Sequence, residues 1–366
     1  MKNILIISNE FPPLIGGAGM VARDVATALT RNNMAVTVVT KHMDSRKKTQ
    51  EFNLIETIAI PKITPYFYWR KAKKCNLNKF DKIIINDVGA AMAAGLFFDR
   101  KLQSKCLVYL HGREPERLFL SKSFFNKVTN FTNKYVELLN NCQNIISVSE
   151  YMKERFLKYT RLNYLYSKIL TVYNGIDKNI FYFSPVDLYK KYSIQTDNKL
   201  ILSVSRIVKD KGYDDKYRIF KQLVLSGYKY HWIIVGDGDY LTTIKRNAAR
   251  DGLLSNITFE GSVKREELKN FYSSVDVFWL LSNFEEALGL VYLEASACGV
   301  PVIARKKAGM REAVKHKVSG FLVEKDEEVL DILKKQKFLE IEKEQIESYI
   351  KKFQIDNTIK KLIQLI

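Results

Sequence analysis

Short, unbroken apolar runs recur along this chain, and each ends in a polar or glycine-bearing tip. They fall at 4–7, 35–40, 82–85, 106–110, 145–148 and 170–173, and again at 200–204, 232–235, 257–259, 276–281 and 300–304. Runs without apolar/polar alternation are those of parallel strands buried on both faces, and the amphipathic stretches between them supply the crossover helices. The chain therefore reads as α/β, in two successive strand–helix series. The polar, irregular stretch 178–198 separates them and reads as the interdomain connection. With 366 residues there is enough chain for two cores. The expected domains are 1–183 and 184–349, followed by a lysine-rich helical tail with apolar positions at Ile350, Phe353, Ile359, Leu362 and Ile363.

In an open parallel sheet the ligand crevice lies at the carboxyl ends of the strands, so the tips are where chemistry is sought. The first strand runs into Asn9-Glu10-Phe11-Pro12-Pro13-Leu14-Ile15-Gly16-Gly17-Ala18-Gly19, and a helix follows with Val21, Val25, Ala28 and Leu29 on one face. Strand, glycine loop and helix start make a phosphate cradle. Residues 17–22 match the dinucleotide pattern G-x-G-x-x-A, but a Pro-Pro loop intervenes and the second strand ends in Lys41-His42 where a ribose-binding acid would stand. A dehydrogenase is excluded on those grounds. Other tips are Asn86-Asp87, His111-Gly112-Arg113 and Ser149-Glu150; His111 reads either as a site residue or as plain loop chemistry. Arg206 and Lys211 follow the 200–204 run directly, where two cations can neutralise a diphosphate.

The stretch 282–312 carries two acids, Glu286 and Glu294, on either side of Leu288-Gly289-Leu290. If both lie on one helix, they stand roughly 12 Å apart along its axis. That span suits a nucleotide sugar, with one acid near the sugar and one near the ribose. A helix starting at Leu288-Gly289 would also aim free amides at a phosphate between them. The alternative is an ordinary amphipathic helix with solvated acids.

Charge narrows the partners. The net charge is +19, and residues 1–180 hold 28 basic against 14 acidic residues, the remainder 31 against 26. A basic first half implies an anionic partner: nucleic acid, a phosphorylated ligand or a membrane face. Residues 66–74 interleave four aromatics with four cations, and 117–135 sets Phe119, Phe124, Phe125, Phe131 and Tyr135 among Arg117, Lys122, Lys127 and Lys134. Such segments suit a protein lying on a lipid surface, or else the aromatics are core and the lysines a solvated face. No nucleic-acid module accompanies them. The first apolar run is too short for a signal-peptide core, and no run approaches a membrane span. Cys75, Cys106, Cys142 and Cys298 are scattered without metal-ligand spacing, which fits a reducing cytoplasm and no zinc site.

Taken in order, the Pro-Pro…Gly-Gly loop at 12–17, His111-Gly112, Val148-Ser149-Glu150, Asn174-Gly175-Ile176-Asp177, Arg206 with Lys211-Gly212, Gly236-Asp237-Gly238, Glu286…Glu294, Gly299-Val300-Pro301 and Gly309…Glu312 resemble the family-four retaining glycosyltransferases (glycosyltransferase group 1) over nearly the whole chain. The resemblance implies the GT-B fold, two Rossmann-like doubly wound domains facing each other across a deep cleft, with a last helix from about Ile350 crossing back to the first domain. It implies that Glu294 holds the ribose hydroxyls and that Arg206 and Lys211 hold the diphosphate. Gly17 and Leu288-Gly289-Leu290 would offer amides to the departing phosphate. Glu286 would face the donor sugar, His111 would border it, and Val263 would stand where the base is held through the backbone. The chain departs from the family pattern at Leu281, Ala287, Leu288, Ala308 and Asn33-Met34, which leaves the charges in place and bears on the identity of the donor.

The expected activity is transfer of a sugar from a nucleotide diphosphate-sugar, UDP before GDP, to an acceptor hydroxyl with retained configuration. Neither metal nor cofactor is expected, the nucleotide-sugar being a substrate. The basic, aromatic first half points to a lipid-linked saccharide acceptor, as in bacterial O-antigen or capsule synthesis. It also points to a peripheral position on the cytoplasmic face of the membrane, without nucleic acid. The competing readings are a GT-B sugar-nucleotide epimerase and a non-enzymatic basic protein that binds nucleic acid or membrane.

Overall fold

The computed structural model describes residues 1–13, 16–44, 51–60, 63–112, 114–120 and 128–366. Of the aromatic-basic stretch 117–135, Lys122, Phe124, Phe125 and Lys127 lie outside the described residues, as does Arg113 after His111. The chain forms two compact units, residues 1–175 with 355–366, and residues 176–354.

The first unit is built on seven strands: β1 (Asn3–Ile7), β2 (Ala35–Lys41), β3 (Asn53–Thr57), β4 (Lys82–Ile85), β5 (Cys106–Leu110), β6 (Asn144–Ser147) and β7 (Ile169–Thr171). They pair in the order β3-β2-β1-β4-β5-β6-β7, and every pair is parallel. Burial on both faces is why these runs are unbroken: Ile4, Leu5, Ile6, Ile7, Ile83 and Ile85 have no accessible surface. The Gly17–Arg31 helix buries Val21, Val25, Ala28 and Leu29, the face read from the sequence. The second unit has six strands: β8 (Lys199–Val204), β9 (Tyr230–Val235), β10 (Ile257–Gly261), β11 (Val277–Leu280), β12 (Val302–Arg305) and β13 (Gly320–Val323). Their order is β10-β9-β8-β11-β12-β13, again parallel throughout. Both sheets are doubly wound, and the winding reverses between β1 and β4 in one and between β8 and β11 in the other. Two edge strands, β3 and β13, were not among the runs identified in the sequence.

The unit boundaries differ from those read from the sequence. Residues 176–183, assigned there to the first domain, belong to the second unit, and so do 350–354. The stretch 178–198 is not an irregular connection either. It contains the Leu188–Tyr192 helix and buries Phe181 and Ile194. The final helix begins at Ile355, not near Ile350, because Gln354 is extended and bridges Ile176, whose amide donates to the Phe353 carbonyl at 2.7 Å. This helix completes the first unit. Thr358 donates to the Tyr173 carbonyl at 2.7 Å, Gln143 to the Leu365 carbonyl at 2.7 Å, and Lys2 to the Ile366 carbonyl at 2.8 Å.

One core position breaks the apolar pattern. Lys216 lies on the buried face of the Tyr213–Leu225 helix beside Tyr213, Ile219 and Phe220, and has no accessible surface. Its Nζ donates to Ser203 Oγ at 3.3 Å and sits 3.5 Å from the centroid of the Tyr213 ring. Ser203 also accepts from the Trp232 indole and donates to the Trp279 carbonyl. Burial, with the nearby Lys211 charge adding, drives the amine well below the ordinary lysine range. In the unfolded chain Lys216 holds its proton up to about pH 10.4, whereas in the fold it does not. Stability contributed here is therefore present above that value and lost as pH falls toward the depressed folded pKa. Lys216→Met is expected to stabilise the chain at neutral pH by about 1–3 kcal/mol. Denaturant titrations of both proteins should show that gain shrinking as pH is raised toward 10, and a gain independent of pH would contradict a lowered Lys216 pKa.

Candidate functional site

In the second unit the relevant loops leave β8 and β11, the strands flanking the reversal. After β8 come Ser205 and Arg206, a short 3-10 turn at Lys209–Lys211, and Gly212 with φ +68. A side chain at Gly212 would meet the Leu281 carbonyl at the end of β11, so the close approach of the two loops itself requires glycine. The Asp210 carbonyl then accepts from the amides of Asn283 at 2.8 Å and Phe284 at 3.1 Å. Gly236 and Gly238 press on Ser205 and Ile207 in the same way, which seats the loop after β9 against the first.

This packing brings Lys211 and Glu286 together. The Lys211 ammonium is ion-paired to Glu286 Oε1, and Ser282 donates to the same oxygen at 3.1 Å. Both side chains are mostly buried, at 16% and 15% exposure. Arg206 stands exposed at the tip of β8 and makes no ion pair among the described residues. The expectation that Glu286 and Glu294 share a helix is not met. The helix is Leu290–Ala297, capped by Gly289 at φ +89, and Glu286 sits in the loop before it. Its contacts with Lys211 and Ser282, and the Gly309 amide on its own carbonyl at 3.0 Å, hold it there. Gly309 admits no Cβ beside Ala287, and Ala308, in the place of an expected glycine, adopts φ +50. Leu288 is buried, Gly289 and Leu290 are half-exposed, and no acid occupies the first turn of the helix, which leaves its amide end suited to an anion.

Glu294 lies on that helix, buried. Tyr272 donates to its Oε2 at 3.2 Å and Arg265 approaches Oε1 at 3.8 Å, the guanidinium itself lying 5.0 Å over the Phe181 ring. Val263 is half-exposed in the loop after β10, two residues before Arg265. Tyr272 and Arg265 carried no signal in the sequence, since a phenol and a guanidinium seven residues apart look like any short helical stretch.

In the first unit the loops leave β1, β4 and β5. Gly17 is exposed at the first position of its helix, and no acid stands in that first turn. Gly19 lies so close to Glu10 and Phe11 that a Cβ would meet their backbone at 2.9–3.0 Å. Asp87, half-buried after β4, accepts from the amides of Asn9 at 2.6 Å and Glu10 at 2.9 Å, from Ser8 Oγ at 3.1 Å, and caps the next helix through Ala90 at 3.0 Å. Burial raises its pKa and these hydrogen bonds oppose the rise. His111 follows β5, half-buried and stacked on Tyr109 at 5.4 Å. Its Nε2 lies 3.0 Å from Asn86 Oδ1, and burial lowers its pKa to about 4. Glu114 accepts from the amides of His111 and Gly112 at 2.9 and 2.7 Å and fixes the turn. Asn86 and Asp87 stood out in the sequence only as a polar strand tip; their place beside the reversal is the signal that marks them.

The family described as glycosyl transferases group 1 matches residues 187–354, and that described as glycosyltransferase family 4 matches residues 15–179. An uncharacterized glycosyltransferase of Methanocaldococcus jannaschii is 26% identical over 340 residues, 87% of this chain and 84% of that protein. A GDP-mannose-dependent alpha-(1-6)-phosphatidylinositol monomannoside mannosyltransferase of Mycobacterium tuberculosis is 26% identical over 357 residues, covering 88% of this chain and 86% of that one. Among solved structures, Anabaena HepE in complex with UDP and glucose superposes with a TM-score of 0.80 over 100% of this chain and 99% of that one, at 20% identity. With both halves matched in order and both sheets doubly wound, the chain is a GT-B glycosyltransferase of group 1, family 4-like.

Proposed function

We propose that this chain is a retaining, metal-independent glycosyltransferase that moves a sugar from a nucleotide diphosphate-sugar to the hydroxyl of a lipid-linked or polysaccharide-precursor acceptor. The observation that carries the reading is the Lys211–Glu286 ion pair where the loops after β8 and β11 meet, with Arg206 exposed at the tip of β8. Negative charge builds on the diphosphate as the glycosidic bond breaks, and fixed donors at that point stabilise it most. Lys211, held by Glu286, and the exposed Arg206 supply the cations; the amide end of the Leu290–Ala297 helix supplies further donors, and the Gly17 loop of the first unit supplies others. Glu294 takes the ribose hydroxyls, Val263 borders the base, and Glu286 and His111 meet the sugar. Glu286 and Glu294 do not act as the paired carboxyls of a double displacement, because each is held by its own partners, Lys211 and Ser282 for one, Tyr272 and Arg265 for the other. The departing phosphate then takes the acceptor proton in a front-side attack. The donor is a UDP-sugar first and a GDP-sugar second: a structural neighbour holds UDP, and a relative is named for GDP-mannose.

The acceptor is read from the surface. The Thr64–Lys74 helix turns Tyr68 and Ala72 inward and exposes Tyr66, Arg70, Lys73 and Lys74. Trp69 stacks on the exposed Phe97 of the Val88–Phe97 helix at 5.3 Å, with Tyr66 5.9 Å from the same ring. Aromatics flanked by cations suit an anionic bilayer, and the mannosyltransferase relative is named for a phosphatidylinositol-linked acceptor. This supports a bacterial surface-glycan role at the inner membrane face. Among the described residues no helix is long and apolar enough to cross a membrane.

A thermal-shift panel of nucleotide diphosphates and their sugars, with and without EDTA, tests the donor reading. At 100 times its dissociation constant a bound nucleotide stabilises by about 2.7 kcal/mol, and the shift should survive EDTA; silence across the panel would remove the basis of the proposal. Lys211→Ala should lower kcat by about 10²–10³-fold, and near-normal turnover would count against leaving-group stabilisation. Liposomes containing anionic lipid should bind the chain, salt should release it, and replacing Tyr66 and Trp69 with serine should weaken the binding. Equal binding to neutral liposomes would refute the surface assignment.

A further inference from the structure

His111 and Asn86 form a pair whose protonation follows from the neighbours of Asn86. The Asn86 amide nitrogen lies 3.0 Å from the Ala18 carbonyl in the glycine loop and 2.9 Å from Ser8 Oγ. A carbonyl oxygen only accepts, so the nitrogen of the amide must face Ala18, and both its hydrogens are spent on Ala18 and Ser8. Turning the amide over would set Oδ1 against the Ala18 oxygen in a buried site, two acceptors with no proton between them. Oδ1 therefore faces His111, and at 3.0 Å the imidazole must donate from Nε2. A neutral ring that carries its proton on Nε2 has a bare lone pair on Nδ1, and Nδ1 makes no hydrogen bond among the described residues.

We infer that Asn86 is a positioning residue: it holds His111 as the neutral Nε2–H tautomer, so that Nδ1 presents an acceptor lone pair to a hydroxyl of the substrate. The inference rests on the transferase reading for its substrate, but not for the tautomer. It gives His111 a definite chemical character. A bare nitrogen lone pair attracts a hydroxyl and repels a phosphate oxygen, so His111 selects for the saccharide portion of a ligand and contributes nothing to holding the diphosphate. The lowered pKa agrees with a ring that stays neutral near neutral pH. The charged groups bonded around this turn are Glu114, on the His111 and Gly112 amides, Arg155, on the Gly112 carbonyl, and Asp87, next to Asn86. None of them takes either ring nitrogen. The Ala18 contact ties the arrangement to the glycine loop, since the same amide that aligns the imidazole also holds the start of the Gly17–Arg31 helix.

The test is nitrogen NMR of the full chain labelled with 15N-histidine, the His111 signals being assigned by their loss in His111→Gln. Between about pH 6 and 8 the wild-type ring should show a protonated Nε2 and an unprotonated Nδ1. A proton on Nδ1, or an imidazolium, would overturn the inference. Asn86→Asp places a carboxylate opposite Nε2, which should bring the His111 titration up toward neutral pH and make kcat/KM fall on the acid side, where the wild type is flat. Asn86→Ala should mix the two tautomers and lower kcat/KM for saccharide transfer about tenfold. Unaltered tautomer and titration in a folded Asn86→Asp would equally overturn it. The spectrum decides the tautomer even for a chain that transfers no sugar, so a failure of the transferase reading would be seen separately.

Discussion

The contact on which the second unit's chemistry depends is the ion pair between Lys211 and Glu286. It joins loops from two strands that are neighbours in the sheet but far apart in sequence, and it can form only because Gly212 lets one loop seat on the carbonyl at the end of the other. A mostly buried pair of this kind is weak evidence for stability, because taking both charges out of water offsets much of their attraction. Its clearer consequence is positional. Lysine is a point charge on a flexible stem, and a carboxylate beside its base restricts where that charge is presented. Ser282 on the same carboxylate oxygen restricts it further.

The same neighbourhood acts on Lys216. It lies five residues after Lys211, on the buried face of the helix that Gly212 starts, and Lys211 lowers its proton affinity in addition to burial. The Lys216 amine is occupied by Ser203, while Glu286 is ion-paired to Lys211.

How far the sequence revealed all this depended on whether a feature was local. The interior strands were legible because burial on both faces forbids polar interruption. The two strands that went unread, Asn53–Thr57 and Gly320–Val323, are both sheet edges. The first is largely half-exposed and mixes polar with apolar residues, and the second offers only Phe321, Leu322 and Val323 behind its glycine. The site acids were legible as residues but not as geometry. Seven residues separate Glu286 from Glu294, which fits a helix; tertiary partners hold the first acid out of it, and no periodicity in the chain records Lys211 or Ser282 as neighbours. The unit boundaries failed for a similar reason, since Gly175 and Ile355 meet only in the folded first unit.

The aromatic-basic segments show the same limit from the other side. Core and surface were offered as rival readings of residues 66–74, yet the Thr64–Lys74 helix is both. Tyr68 has no accessible surface and donates at 2.9 Å to Asn9, whose amide is held by Asp87, while Trp69, one residue on, stacks outward with Phe97. Adjacent helical positions point about 100° apart, so a continuous aromatic run must divide between faces. In 117–135 the described aromatics divide differently, with Phe131 and Tyr135 buried against Phe119 and the core. Both segments mix aromatics with cations. In the first of them the outward-facing Tyr66 and Trp69 meet a second exposed ring, Phe97, which turns the divided run into an aromatic surface.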